Sequence, residues 1–80
     1  MQTTARRSKE EFSFDLKKII APLSERNDKG YRKELTLVSF NGGDAKYDIR
    51  QWDTDHLHMS KGISLTEEEL RALAKAVETL

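Results

Sequence analysis

Three segments of the chain alternate apolar and polar residues with a period of two, and this alternation constrains the fold more than any other feature. The segments are 12–16 (FSFDL), 31–40 (YRKELTLVSF) and 46–52 (KYDIRQW). Successive side chains of a β-strand point to opposite faces of a sheet, so this period predicts half-buried strands. A fourth, short strand is predicted at Lys61–Leu65, after the polar loop Asp53–Ser60.

Two interruptions and two turns set the limits of these strands. The first strand runs to about Leu23, and a bulge is predicted at Lys17–Ile19, where the alternation breaks. Pro22 cannot donate a ladder hydrogen bond, so this strand should lie at an edge of the sheet. The segments Ser24–Gly30 and Asn41–Asp44 have the composition of turns.

The last element is predicted to be a helix that runs from about residue 67 to the C-terminus. Thr66 and Glu69 have the spacing of a capping box, in which each side chain binds the backbone N–H of the other residue. Apolar residues then recur at helical spacing. They are Leu70, Leu73, Val77 and Leu80.

The predicted order is ββββα, an α+β protomer with a curved antiparallel four-stranded sheet and one C-terminal helix that covers one face. Residues 1–9 are polar and predict a flexible tail, and residues 10–80 predict a single domain. A chain of 80 residues without cysteine has a small core and no disulfide to stabilise it. We therefore expect a homodimer in which the apolar helix residues, Leu70, Leu73, Val77 and Leu80, are buried.

The strand phase divides the sheet into two faces. Leu35, Leu37, Tyr47 and Ile49 share a face that we expect to be the core. The other face carries cations and aromatic rings, and Lys61 enters the next strand nearby. Rings interleaved with cations form a stacking platform for unpaired bases. The alternatives are a dimer interface or a second core. The residues of this face are Arg32, Phe40, Arg50 and Trp52.

Motifs for catalysis are absent from the sequence, which has no phosphate-binding glycine loop, no G-x-S-x-G and no H-E-x-x-H. Asp53, Asp55, His56 and His58 resemble metal ligands, but we expect them to be solvated and to bind no metal. A two-metal nuclease site using Asp48 with Asp53 is the enzyme alternative. We expect no catalytic activity, no cofactor and no small-molecule substrate. We expect no secretory signal and no membrane span, because the first residues lack an apolar segment and no apolar run reaches the roughly 20 residues that span a membrane.

The motifs GYRKELTLVSFN, KYDIRQW and KGISLTEEELRAL resemble the single-stranded-DNA-binding transcriptional coactivator family, positive cofactor four, and especially its bacterial YdbC-like branch. The resemblance covers residues 10–80. It implies a ββββα protomer that dimerises through its helices, and curved sheets whose grooves bind single-stranded DNA with little sequence preference. It also implies nucleic-acid contacts for basic and aromatic positions, namely Arg32, Lys33, Phe40, Lys46, Arg50, Trp52 and Lys61.

We therefore expect a homodimeric protein that binds single-stranded DNA in transcription, replication or repair, in the cytoplasm and associated with the nucleoid. RNA binding is an alternative for the same face. A second alternative is a protein-interaction module that uses these aromatic residues to dock a peptide. Steep salt dependence would distinguish nucleic acid from peptide, because each neutralised phosphate releases counterions.

Overall fold

The computed structural model describes residues 12–80, and their order of elements is the predicted ββββα. The four strands form one antiparallel sheet in the order β1-β2-β3-β4, followed by a single helix. This confirms the predicted fold class of the protomer. The predicted tail, residues 1–9, lies outside the described residues. The elements are β1 (Phe14–Pro22), β2 (Arg32–Phe40), β3 (Lys46–Trp52), β4 (Met59–Leu65) and α1 (Glu67–Val77).

β1 is an edge strand with two irregularities. Its pairing with β2 shifts between Leu16 and Lys18 and again between Ile19 and Ala21. The first shift confirms the predicted bulge, and the edge position of β1 explains how Pro22 is accommodated. Each bulge increases the local twist and bends the strand, so β1 can wrap around its neighbour.

The β2–β3 turn places the end of β2 beside the start of β1. Asn41 and Gly42 both adopt positive φ, at 53° and 75°, as the predicted turn composition allows. The Asn41 side-chain oxygen accepts a hydrogen bond from the Ser13 backbone N–H at 2.8 Å, and the Ser13 carbonyl accepts one from the Asn41 N–H. The chain before β1 is thereby held next to Phe40.

The register defines two faces of the sheet. Even-numbered residues of β2 and β3, 32–40 and 46–52, pair with one another and share one face, here called the concave face. Odd-numbered residues of the same strands, 33–39 and 47–51, share the opposite face, here called the apolar face. These two groupings are the ones predicted from the period of two.

The sheet curls so strongly that the two ends of the concave face meet. Phe14 pairs with Phe40 at the end of β2, whereas Trp52 pairs with Arg32 at its start. A straight strand would separate those positions by about 26 Å, at about 3.3 Å per residue. The Phe14 and Trp52 ring centroids are nevertheless 5.4 Å apart.

The core lies on the concave face, and the prediction that the apolar face is the core is wrong for the single protomer. Val38 and Trp52 are completely buried, whereas Leu35 and Ile49 remain partly exposed. The reason is the curl, which closes the concave face upon its own side chains. The alternative interpretation of this face as a second core is therefore the correct one for Trp52.

α1 begins as predicted but does not cover a face of the sheet. The Thr66 hydroxyl accepts a hydrogen bond from the Glu69 N–H at 3.1 Å, and the Glu69 carboxylate accepts one from the Thr66 N–H at 2.9 Å, which confirms the capping box. The helix contacts the sheet only at β3 and β4, and within residues 12–80 none of its residues is buried. Leu73 and Val77 keep about half of their surface accessible. In the described part of the chain, no helix has the length and apolarity needed to cross a membrane.

Candidate nucleic-acid interface

The concave face brings together five of the seven residues predicted to contact nucleic acid. Even numbering places all five on one side of the sheet. The five are Arg32, Phe40, Lys46, Arg50 and Trp52.

The remaining two, Lys33 and Lys61, lie elsewhere. Lys33 pairs with Gln51 on the apolar face. Lys61 is exposed and precedes Gly62, the residue that pairs with Arg50, in a stretch where the register of β3 and β4 shifts. The contact of Lys61 with nucleic acid stays a prediction.

Trp52 is buried rather than accessible, which corrects the prediction that its ring lies outside the core. Its side chain has no exposed surface. Phe14 packs against it at a centroid distance of 5.4 Å, and His56 does so at 5.5 Å. Among residues 12–80 the indole N–H finds no hydrogen-bond partner. Trp52 thus supports the concave face from within and does not present an open platform.

The accessible aromatic surface comes from phenylalanines at the start of the chain. Phe12 is 53% exposed, and its ring centroid lies 6.3 Å from that of Phe40 and 6.5 Å from that of Phe14. Sequence reasoning did not assign Phe12 and Phe14 to the site. The signal was present, because both share the phase of Leu16. The register of β1 and β2 places Phe14 beside Phe40, and the curl of the sheet brings Phe14 to Trp52.

Glu34 organises the basic residues at one end of the concave face. This carboxylate is completely buried and binds Arg32 Nε at 2.7 Å and His56 Nε2 at 2.7 Å. Arg26 Nη2 lies 3.8 Å from it. Burial by itself raises the pKa of Glu34, but the hydrogen bonds and charges of Arg32 and His56 outweigh burial and hold the pKa below its ordinary value. The sequence offered no indication that Glu34 would be buried.

Asp48 is a second buried carboxylate, and it pairs with Thr36 in the middle of the same face. It is completely buried, and it accepts hydrogen bonds from Arg50 and from the Ser64 hydroxyl, the latter at 2.8 Å. The Arg50 guanidinium carbon lies 4.8 Å from the centre of the Phe40 ring. A carboxylate committed in this way does not fit the alternative of a two-metal nuclease site.

A cavity of about 320 Å³ opens beside Phe40, between the β2–β3 turn and β4. The residues that line it are Phe40, Lys46 and Ser64, together with the turn residues Gly43 and Asp44. An aromatic wall with a cation at its rim offers a base a stacking surface and a phosphate a counter-charge.

Residues 27–76, more than half of the chain, match the family model for transcriptional coactivator p15 (PC4). The chain belongs to the PC4 family. The match confirms the resemblance carried by the strand and helix motifs. It spans β2 to the last turns of α1 and so includes all seven predicted contact residues. Phe12 and Phe14, which complete the aromatic surface of this PC4 family member, precede it.

A bacterial relative shares the same region. An uncharacterized protein of Treponema pallidum (strain Nichols) is 41% identical over 51 residues, which is 64% of this chain. The chain accounts for 60% of that relative's length. The similarity agrees with a bacterial branch of the PC4 family.

In the Asp/His loop between β3 and β4, the side chains hydrogen-bond to protein groups and do not form a set of metal ligands. Asp53 accepts a hydrogen bond from His58 Nδ1 at 2.8 Å, whereas His56 turns away to Glu34. The His58 hydrogen bonds, together with the Leu57 backbone N–H, lower the pKa of Asp53 to about 2. Among residues 12–80 no three His, Asp or Glu side chains converge as metal ligands would.

Proposed function

We propose that this PC4 family member binds single-stranded DNA through the concave face, with little sequence preference, in bacterial transcription, replication or repair. The observation that carries the proposal is the continuous surface formed by Phe12, Phe40 and Arg50, with Lys46 at its rim. Rings accept any base by stacking, and cations neutralise the backbone. Family membership supports the same conclusion. The expected setting is the cytoplasm, in association with the nucleoid.

The roles within this surface follow from exposure. Phe40 and Phe12 present rings to bases, and Lys46 contacts a phosphate. Trp52 contributes indirectly, because it is buried and holds Phe14 in place. Lys61 lies on the edge strand β4, where a nucleic-acid strand that crosses the sheet edge can reach its ammonium group.

A titration with labelled oligonucleotides tests the function. Single-stranded DNA should bind more tightly than duplex of the same sequence, because duplex bases are not free to stack. The logarithm of affinity should fall linearly with the logarithm of salt concentration, with a slope of about −0.7 per neutralised phosphate. Phe40→Ala should weaken binding by about 1–3 kcal/mol, the usual contribution of one base stack.

The control is Leu23→Ala, which removes an exposed apolar side chain next to β1 and should leave affinity unchanged. Affinity that is independent of salt, or unaffected by Phe40→Ala, would contradict the proposal and favour peptide docking. A parallel titration with RNA of the same sequence decides whether the protein prefers DNA or RNA.

We further propose that the protein acts as a homodimer in which the apolar face and α1 are covered by a second copy. Leu35, Leu37 and Ile49 are only half-buried in the protomer, and Ile63 is 56% exposed. The apolar residues of α1, Leu73 and Val77, are exposed too. A contiguous apolar surface of this kind is typical of an interface rather than of an isolated small domain.

Leu73→Glu tests the dimer. A carboxylate in a buried apolar interface is strongly unfavourable without a partner. Sedimentation of the wild-type chain at micromolar concentration should give the mass of two chains, and the variant should give the mass of one. Leu57→Glu, at a highly exposed loop position, is the control and should remain dimeric. A monomeric wild type would refute the assembly without affecting the binding proposal.

A further inference from the structure

Arg50 is held by more partners than a phosphate-binding arginine requires. Its Nη2 donates to Asp48 Oδ2 at 2.9 Å, and its Nε donates to the other Asp48 oxygen. Its Nη1 lies 3.2 Å from the Met59 sulfur and 3.4 Å from the Ser60 carbonyl oxygen. Four of the five guanidinium N–H groups are therefore engaged within the protein. The side chain is only 15% exposed.

The charge of Arg50 is already balanced. Asp48 has no exposed surface, and the Ser64 hydroxyl donates to the same oxygen that binds Nη2. A bidentate pair between a buried carboxylate and a guanidinium is rigid, because two parallel hydrogen bonds fix the plane of both groups. A phosphate that approached Arg50 would also approach the carboxylate charge that neutralises it.

The pair with Asp48 directs the Arg50 guanidinium toward an aromatic ring. The guanidinium carbon is 4.8 Å from the centre of Phe40, within the range of a cation–π contact. Gly62 pairs with Arg50 across the β3–β4 ladder and lacks a side chain that would displace it. Guanidinium planes, like aromatic rings, can stack on nucleobases.

We propose that Asp48 is a positioning residue that holds Arg50 over Phe40, so that guanidinium and ring form one stacking surface for a nucleobase. Phosphate neutralisation then belongs to flexible lysines such as Lys46. This inference rests on the proposed function, and it replaces the sequence expectation that Arg50 contacts the backbone.

Arg50→Lys and Arg50→Gln separate the two roles. A stacking arginine is lost in both variants, because lysine keeps the charge but has no planar group. We expect both to weaken binding by about 5- to 150-fold, the equivalent of one base stack, with an unchanged salt slope. Lys46→Gln is the control for a phosphate contact and should flatten the slope by about 0.7. An Arg50→Lys variant that binds like the wild type would overturn the inference.

Asp48→Asn tests the positioning role directly. It keeps the size of the side chain but removes its charge, so Arg50 is freed and the site gains one unit of positive charge. If Asp48 only neutralised Arg50, single-stranded DNA would bind more tightly, and that result would refute the proposal. If Asp48 positions Arg50, affinity falls, and adding Arg50→Lys causes no further loss.

A milder variant and a separate readout keep the test decisive. Should Asp48→Asn fail to fold, Ser64→Ala removes one hydrogen bond to Asp48 at an exposed position and should lower affinity in the same direction. Absence of single-stranded DNA binding by the wild type would refute the proposed function itself. If the wild type binds single-stranded DNA but Arg50→Gln flattens the salt slope as a lost phosphate contact would, only the roles proposed for Asp48 and Arg50 are refuted.

Discussion

Trp52→Ala should lower the free energy of unfolding by about 3–5 kcal/mol, the usual cost of truncating a fully buried tryptophan. The side chain has no exposed surface, and its ring packs between Phe14 and His56. Its removal would leave a cavity at the point where the two ends of the concave face meet. For a small domain, whose total stability is about 5–15 kcal/mol at most, such a loss is a large fraction.

Urea denaturation followed by far-ultraviolet circular dichroism measures this effect, because the variant lacks the one tryptophan of the chain. Protein concentration must be the same for both chains, since dimerisation would couple stability to concentration. Leu57→Ala, at a position 66% exposed in the neighbouring loop, should change stability by no more than about 0.5 kcal/mol. A loss below about 1 kcal/mol for Trp52→Ala would show that the ring is not part of the core.

Gly62→Ala should destabilise the fold by about 3 kcal/mol, at the upper end of the range for overpacking. A Cβ atom at this position would overlap the Arg50 Cβ and the Ile49 carbonyl oxygen. The carbonyl oxygen belongs to the backbone of β3 and cannot move aside as the end of a flexible side chain could. The β3–β4 ladder would have to separate locally, and Arg50 would be displaced from Phe40.

Gly42→Ala is the matched control because it isolates the conformational cost of losing a glycine. Gly42 has a φ of 75°, and a Cβ atom there would meet no heavy atom within 4 Å. Only the left-handed backbone is therefore penalised, by about 1–2 kcal/mol. Equal destabilisation by the two variants would contradict the steric account of Gly62. Thermal unfolding of both variants at one protein concentration provides the comparison.

Local sequence patterns predicted the elements of this protein well. The bounds predicted for β3, Lys46–Trp52, are those observed, and the capping box at Thr66 starts the helix as expected. Both signals arise from neighbours within a few positions in the sequence. The bulge in β1 and the positive φ of Asn41 belong to the same class, because each depends on the conformational preference of a short segment.

The sequence predicted which residues share the face of the candidate site, but it did not predict how they contact one another. Strand phase placed Arg32, Phe40 and Arg50 on one face, as observed. It could not show that Glu34 and Asp48 on that face would be buried partners of these arginines. A period of two shows which residues share a face, and it carries no information about which face becomes covered.

The sequence by itself therefore determined the ββββα order, the two faces of the sheet and the helix start. Only the tertiary structure decided that the concave face closes, because the curl depends on bulges in two strands acting together. The contact between Phe14 and Trp52, far apart in sequence and paired with opposite ends of β2, is the clearest consequence. Side chains of the concave face thus form the core of the protomer, whereas the apolar face, which the sequence predicts to be the core, remains partly exposed.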